Sequence, residues 1–196
     1  MIESAHLPEH RAPAAVPNAV LGMLIFLGTE AMFFAGLISA FLVLRACSAV
    51  WPPPDQPRLP IAVTAANTLV LLYSGYTMRQ ALLAIRGDRV RELRRWLGAT
   101  GLLGVVFVAV QGTEWLRLLH YGLHVSSGVY GATFYTLIGC HGLHVLGGVV
   151  VLLAVLRHAT YGRYSAQNHS AVEACRLYWF FVVGVWPILY ALVYLA

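Results

Sequence analysis

Residues 130–156 run without a single Asp, Glu, Lys or Arg, and about 20 mainly apolar residues are enough to cross a bilayer as a helix. Four further segments have the same character, at about residues 18–44, 60–85, 96–119 and 174–195. The chain has 196 residues, of which 59% are hydrophobic and 11% charged. A soluble domain is nearer half apolar and about a quarter charged, so the composition implies an integral membrane protein. In lipid every backbone N–H and C=O must be satisfied within the protein, and a helix does this unaided. The linkers are short, which sets neighbouring helices antiparallel. The expected fold is therefore all-α, five transmembrane helices in an antiparallel bundle.

Residues 1–17 are polar, with His6, Glu9, His10, Arg11 and three prolines. They read as a short flexible tail preceding one membrane domain over residues 18–196. The first apolar segment is too long for a cleaved signal peptide, carries Glu30 and is followed by no small-residue cleavage site. Trp51, Pro52, Pro53 and Pro54 predict a stiff, extended first loop, because proline cannot continue a helix. Pro187 should kink the last helix near Val183. All 13 cationic residues are arginines. Arg11, Arg86, Arg89, Arg91, Arg94, Arg95, Arg157 and Arg163 fall on one side of a five-span arrangement, against Arg45, Arg58 and Arg117 on the other. The positive-inside rule then puts the N-terminus in the cytoplasm and the C-terminus outside. Cys47, Cys140 and Cys175 sit on different segments at different expected depths, which argues against a disulfide.

Ionisable side chains at membrane depth are costly and rarely face lipid, so each one inside a span points to function or to a buried partner. Glu30 lies mid-span in the first segment. It reads equally as a protonated carboxyl hydrogen-bonded to a neighbouring helix or as a proton relay. Gln111 and Glu114 are three apart and share a helical face, with Arg117 and His120 continuing the spacing. A pairing of Glu114 with Arg117 near the interface is the plainer expectation there. His141 and His144 also share a face, in a stretch with Gly139, Gly142, Gly147 and Gly148 that would let another helix approach closely. Imidazole suits iron, copper and zinc, and the pair together with Glu30 and Glu114 has the composition of a metal site in a helix bundle. The chain lacks the Glu-x-x-His pairs of di-iron bundles, however, and a hydrogen-bonded polar knot between helices is favoured on the residues alone. His169 and Glu173 sit four apart where the last helix begins, and a negative charge suits that end. The run Tyr178, Trp179, Phe180, Phe181 reads as packing and lipid contact. There is no Gly-rich phosphate loop, nucleophile elbow, Cys-x-x-Cys or His-Glu-x-x-His, and the basic balance needs no nucleic acid to explain it.

Together these residues resemble subunit III of the haem–copper oxidases, the cytochrome c oxidase group, in its five-helix form. GTEAMFFAGLISAF resembles the family's Ser-Glu-x-Met-Phe-Phe helix, with Glu30 at the glutamate. WPPP and the following LPIAVTAANTLVLLYSG match its next loop and helix through Asn67 and Ser74, and QGTEW carries its Gln-x-x-Glu at Gln111 and Glu114. GVYGATFYTLIGCHGLHV is the most specific stretch, with Gly128, Tyr130, Gly131, Phe134, Gly139, His141, Gly142, His144 and Val145 in place. NHSAVEACRLYW adds Asn168, His169, Glu173, Tyr178 and Trp179. Two departures stand out. Phe180 and Val183 occupy positions where family members commonly carry a His and an Asp, and Pro187 follows the retained Trp186. The two N-terminal helices of longer members have no counterpart, so the lipid-holding cleft they form should be absent or closed by another subunit.

The resemblance implies a non-catalytic subunit of a respiratory terminal oxidase in a bacterial cytoplasmic membrane. No catalytic residue, haem, copper or other metal ligand is expected on this chain. The resemblance implies oxygen reduction at the haem–copper centre of subunit I, with electrons entering through subunit II or its equivalent. Subunit III packs on subunit I, binds phospholipid and supports proton uptake and turnover, in some cases within a larger respiratory assembly. Under this reading Glu30, Gln111, Glu114, His141 and His144 form a buried polar network or proton relay, and His169 and Glu173 a second network at the cytoplasmic end. Arg157, with its planar phosphate-matching fork, and Trp179 are the expected lipid contacts. The alternative is a related accessory protein of a quinol oxidase or nitric oxide reductase. An independent metalloprotein or ion transporter built on Glu30, Glu114, His141 and His144 is a third reading.

Overall fold

The computed structural model describes residues 16–54 and 59–195. Most of the tail expected over residues 1–17, and Arg58 of the first loop, lie outside the described residues. Five helices follow one another: α1 (Asn18–Ala46), α2 (Ile61–Arg86), α3 (Val90–His120), α4 (Val129–Thr160) and α5 (Ser170–Tyr190). A π turn at Ala191–Leu195 extends α5. There is no strand among the described residues. All five helices are long and apolar enough to cross a membrane.

The helices outrun the apolar segments at their ends. α3 starts at Val90 instead of residue 96, because most of RGDRVRELRR is itself helical. Arg, Glu and Leu are good helix formers. Arg89 pairs with Glu92 at 2.8 Å, and Arg94 Nε donates to the Ala159 carbonyl at the far end of α4 at 3.0 Å. Hydropathy reports where lipid ends, not where the helix does. The α2–α3 turn passes through Asp88, whose φ is +55°, a left-handed conformation that Asp tolerates better than most residues. Its carboxylate accepts the Ala166 N–H at 3.1 Å, joining the second loop to the fourth. α5 continues through Pro187, whose missing N–H leaves the Val183 carbonyl without its intrahelical donor, and then widens into the π turn.

Helices α2, α3, α4 and α5 form a ring in which each packs against its two neighbours, and α1 lies outside it against α4 and α5. Helices in lipid gain little from apolar burial against one another and depend on close approach and hydrogen bonds instead. Both devices meet at Trp179, which is fully buried. A Cβ added at Gly104 of α3 would lie 2.6 Å from the indole, and one at Gly148 of α4 3.0 Å from it. The indole N–H of Trp179 donates to Ser74 Oγ of α2 at 3.0 Å. About two turns further along α5, the Trp186 N–H donates to Thr68 Oγ1 at 2.8 Å. Asn67 Nδ2 donates to the Phe107 carbonyl at 3.0 Å, and the hydroxyls of Thr77 and Thr100 lie 2.8 Å apart, so α2 and α3 are tied twice.

Gly104→Ala should therefore be costly. The added methyl meets both Trp179 and Val149, and overpacking of this kind costs about 1–3 kcal/mol. Gly112→Ala, on the same helix with no atom within 4 Å of the new methyl, should be neutral or stabilising. Thermal unfolding of the two variants in mild detergent separates them, and equal midpoints would refute the central role given to the Trp179 seat.

Candidate functional site

Glu30 and His144 meet across the α1–α4 seam. His144 Nε2 lies 2.7 Å from Glu30 Oε2, and its Nδ1 lies 2.7 Å from the Cys140 carbonyl one turn earlier. A carbonyl only accepts, so Nδ1 carries a hydrogen. Nε2 then has two options. In a neutral ring it accepts a proton-bearing Glu30 carboxyl; in a cationic ring it donates to a carboxylate. Either arrangement makes one short hydrogen bond between two ionisable groups that lipid would leave unpaired. Each side chain retains 17% of its exposure. Phe33 stacks on His144 with centroids 6.0 Å apart, and Phe34 meets it edge-on at 5.0 Å. The Tyr178 hydroxyl donates to the His144 carbonyl at 3.0 Å, fastening α5 to the same turn.

His141, one turn away, points elsewhere. It is buried at the centre of the bundle, stacked on Trp186 with centroids 4.9 Å apart and met edge-on by Phe107. Neither ring nitrogen has a hydrogen-bond partner among the described residues. It borders a cavity of about 90 Å³ between α3 and α4, lined also by Gln111, Trp115 and Gly142. Gln111 Nε2 lies 3.1 Å from the Tyr194 hydroxyl, and Glu114 pairs within its own helix with Arg117 at 2.8 Å. The five residues expected to form one network thus fall into two separate pairings across helices, one pairing within a helix, and a solitary imidazole. Helical geometry explains the split: positions three apart diverge by about 60° around the axis, enough to send His144 to α1 and His141 inward. Among the described residues no group of three or more His, Cys, Asp or Glu side chains converges.

At the opposite end Glu173, in the first turn of α5, pairs with Arg86 at the end of α2 at 2.8 Å. His169 contributes its backbone carbonyl, which accepts the Glu173 N–H at 3.1 Å; its side chain does not touch Glu173 through a hydrogen bond, and its Nδ1 is buried without one. Arg157 is exposed near the end of α4, its guanidinium 6.0 Å from the Tyr161 ring centre. Trp179, expected to contact lipid, does not: it is wholly enclosed by α2, α3 and α4. Of the two departures from the family pattern, Val183 packs on Gly75 of α2 and Phe180 lies beneath the Arg176 guanidinium, 5.2 Å away. Tyr194, in the π turn that extends α5, is the partner that spacing along the chain gives no hint of.

The profile of the family described as cytochrome c oxidase subunit III matches residues 1–196. A protein named cytochrome c oxidase subunit 3 from Synechocystis sp. is 37% identical over 177 residues, covering 90% of this chain and 75% of its own. One of the same name from Thermostichus vulcanus is 39% identical, covering 90% and 86%. A probable cytochrome c oxidase subunit 3 from Nocardia farcinica is 39% identical over 181 residues, covering 91% and 88%.

The separation of the polar groups has a measurable consequence. Glu30→Leu and His144→Leu should each destabilise the bundle, and the double variant should cost less than their sum, with a coupling of about 0.5–3 kcal/mol. Glu114→Ala and His144→Leu should add to within about 0.5 kcal/mol, because they share no partner. Denaturation in detergent of the single and double variants checks both, and strong coupling of Glu114 to His144 would restore the single network.

Proposed function

The chain belongs to the cytochrome c oxidase subunit III family, and from that premise we propose that it serves as a non-catalytic subunit that packs on subunit I and sustains its proton uptake. It is a multi-pass bacterial membrane protein of an oxidase complex. In this reading the haem, the copper and the reduction of oxygen belong to partner subunits, and subunit II or its equivalent receives the electrons. The observation that carries the proposal is the Glu30–His144 pair, a 2.7 Å contact between two partly accessible ionisable side chains. A proton placed there exchanges between carboxyl and imidazole without creating net charge at membrane depth. The Cys140 carbonyl fixes the ring orientation that this requires.

The arginines support an orientation. Arg86, Arg89, Arg91, Arg94, Arg95, Arg157 and Arg163 cluster at the α2–α3 and α4–α5 end, against Arg45 and Arg117 at the other. That end is read as cytoplasmic, with the N-terminus beside it and the C-terminus outside. Arg157, exposed at that end, is the proposed contact for a phospholipid phosphate.

Glu30→Gln tests the proton reading. The amide can bond to His144 but cannot release a proton. The assembled complex should then lose oxygen-consumption activity selectively at alkaline pH, where proton supply is scarce; an unchanged pH profile would leave the pair as a static tie. Arg157→Ala should lower the phospholipid phosphorus retained per complex after purification, and unchanged phosphorus would remove the lipid assignment.

A further inference from the structure

Three of the four seams in the ring are tied within the spans by direct side-chain hydrogen bonds: α2–α3 by Asn67 and Thr77, α2–α5 by Trp179 and Trp186, and α4–α5 by Tyr178. The α3–α4 seam is the exception. Among the described residues its direct hydrogen bond runs from Arg94 to the Ala159 carbonyl, at the end of the bundle. Further in, Trp115 of α3 lies against Gly142 of α4, where an added Cβ would come within 3.0 Å of the indole.

The same seam holds buried polar atoms left unpaired. Gln111 Oε1 and Trp115 Nε1 on α3, and both ring nitrogens of His141 on α4, have no hydrogen-bond partner among the described residues. All three side chains line the cavity of about 90 Å³ between the two helices. Leu143 and Leu146 of its lining are exposed on α4, whereas His141 and Gln111 are buried, so the polar groups stand at its inner wall. Gly112 and Gly139 also line it, and a Cβ at either would meet no atom within 4 Å. An uncompensated polar group in an apolar interior is costly, and here groups of opposite character border one space. The indole N–H only donates, the Gln111 oxygen only accepts, and a neutral imidazole donates at one nitrogen and accepts at the other. Water, which does both, answers the whole set. A cation would meet the indole N–H, an anion would meet the amide oxygen, and an acyl chain would leave every one of these atoms unpaired. A buried water needs about 10–15 Å³ of such space and a few polar partners, so the cavity has room for a small cluster.

We propose that the α3–α4 cavity binds a small water cluster that bridges Gln111 and Trp115 of α3 to His141 of α4. The water supplies the tie within the spans that this seam otherwise lacks, since a water-mediated bond joins two polar groups nearly as well as a direct one. It also puts the solitary imidazole in contact with exchangeable protons, separately from the Glu30–His144 pair.

The test is radiolytic footprinting of the intact complex in its native lipid, read by mass spectrometry. An X-ray pulse turns bound water into hydroxyl radicals that oxidise the side chains touching it. Trp179 and Trp186 are equally enclosed, but Trp186 lines the cavity and Trp179 does not. Trp186 and His141 should therefore be oxidised, and Trp179 should not. Gly139→Leu, which fills the cavity, should bring Trp186 and His141 down to the level of Trp179. Should that variant fail to assemble, the comparison of Trp186 with Trp179 in the unaltered complex still decides, together with xenon pressed into crystals of it, which a hydrated polar cavity excludes. Oxidation of Trp186 no greater than that of Trp179 would overturn the proposal. So would oxidation unmoved by Gly139→Leu, or xenon or an acyl chain seated in the cavity.

Discussion

One indole ring holds the bundle together. Trp179 projects from α5, lies against the bare backbone of α3 at Gly104 and of α4 at Gly148, and bonds to Ser74 of α2. Four helices therefore meet at one side chain. In water such a cluster would form through the expulsion of solvent; in lipid that drive is absent and shape has to supply the attraction. A large flat ring in a slot made by two glycines maximises dispersion contact, and its single N–H is satisfied by a buried hydroxyl. The bonds of Trp186, Asn67 and Thr77 repeat the pattern along the ring of helices, each joining a polar group that lipid would leave unpaired to one on a neighbouring helix.

α1 is held by different means, and this bears on what it can do. It buries only Val20, Phe34 and Phe41, and it meets the rest of the protein through Phe33 and Phe34 at His144, Phe26 on Tyr178, Phe41 on Trp51, the short Glu30–His144 bond and a longer one from Arg45 to the Leu192 carbonyl. The short bond joins two ionisable side chains. The ring formed by α2 to α5 is closed at Trp179 by an indole N–H and a hydroxyl instead. The two seams therefore differ in the kind of polar group each contains.

How much of this was legible in the sequence depends on the range of the interaction. The five spans and their order followed from uncharged runs and the length of a helix across lipid, and they stand. Helix ends were placed too far inward at residues 96 and 174, since hydropathy is silent about helical turns that continue into the headgroup region or beyond it, such as the arginine-rich start of α3. The polar residues of interest were visible as exceptions in apolar runs, yet their partners were not. His-x-x-His looks like one constellation along the chain, but the helix turns the two rings toward different neighbours. Glu114 found Arg117 on its own helix, as local spacing suggested. Gln111 found Tyr194, which no local spacing indicates, because their contact depends on a π turn more than eighty positions later. A run of four aromatics does not reveal which of them faces inward, and here it is Trp179 that is enclosed and not on the lipid side.

The changes on α5 make sense as a group. Where family members commonly carry a polar pair, this chain has Phe180 and Val183, and Val183 fits against Gly75 with a closeness that a carboxylate could not use without a partner. The apolar replacement closes the lower part of the α2–α5 seam by packing alone. Phe180 offers a ring face on which the Arg176 guanidinium rests, 5.2 Å from its centre. With Val183 against Gly75 and Phe180 beneath Arg176, the two positions are thus accounted for by packing and by a cation–ring contact, and neither needs a polar partner on α2.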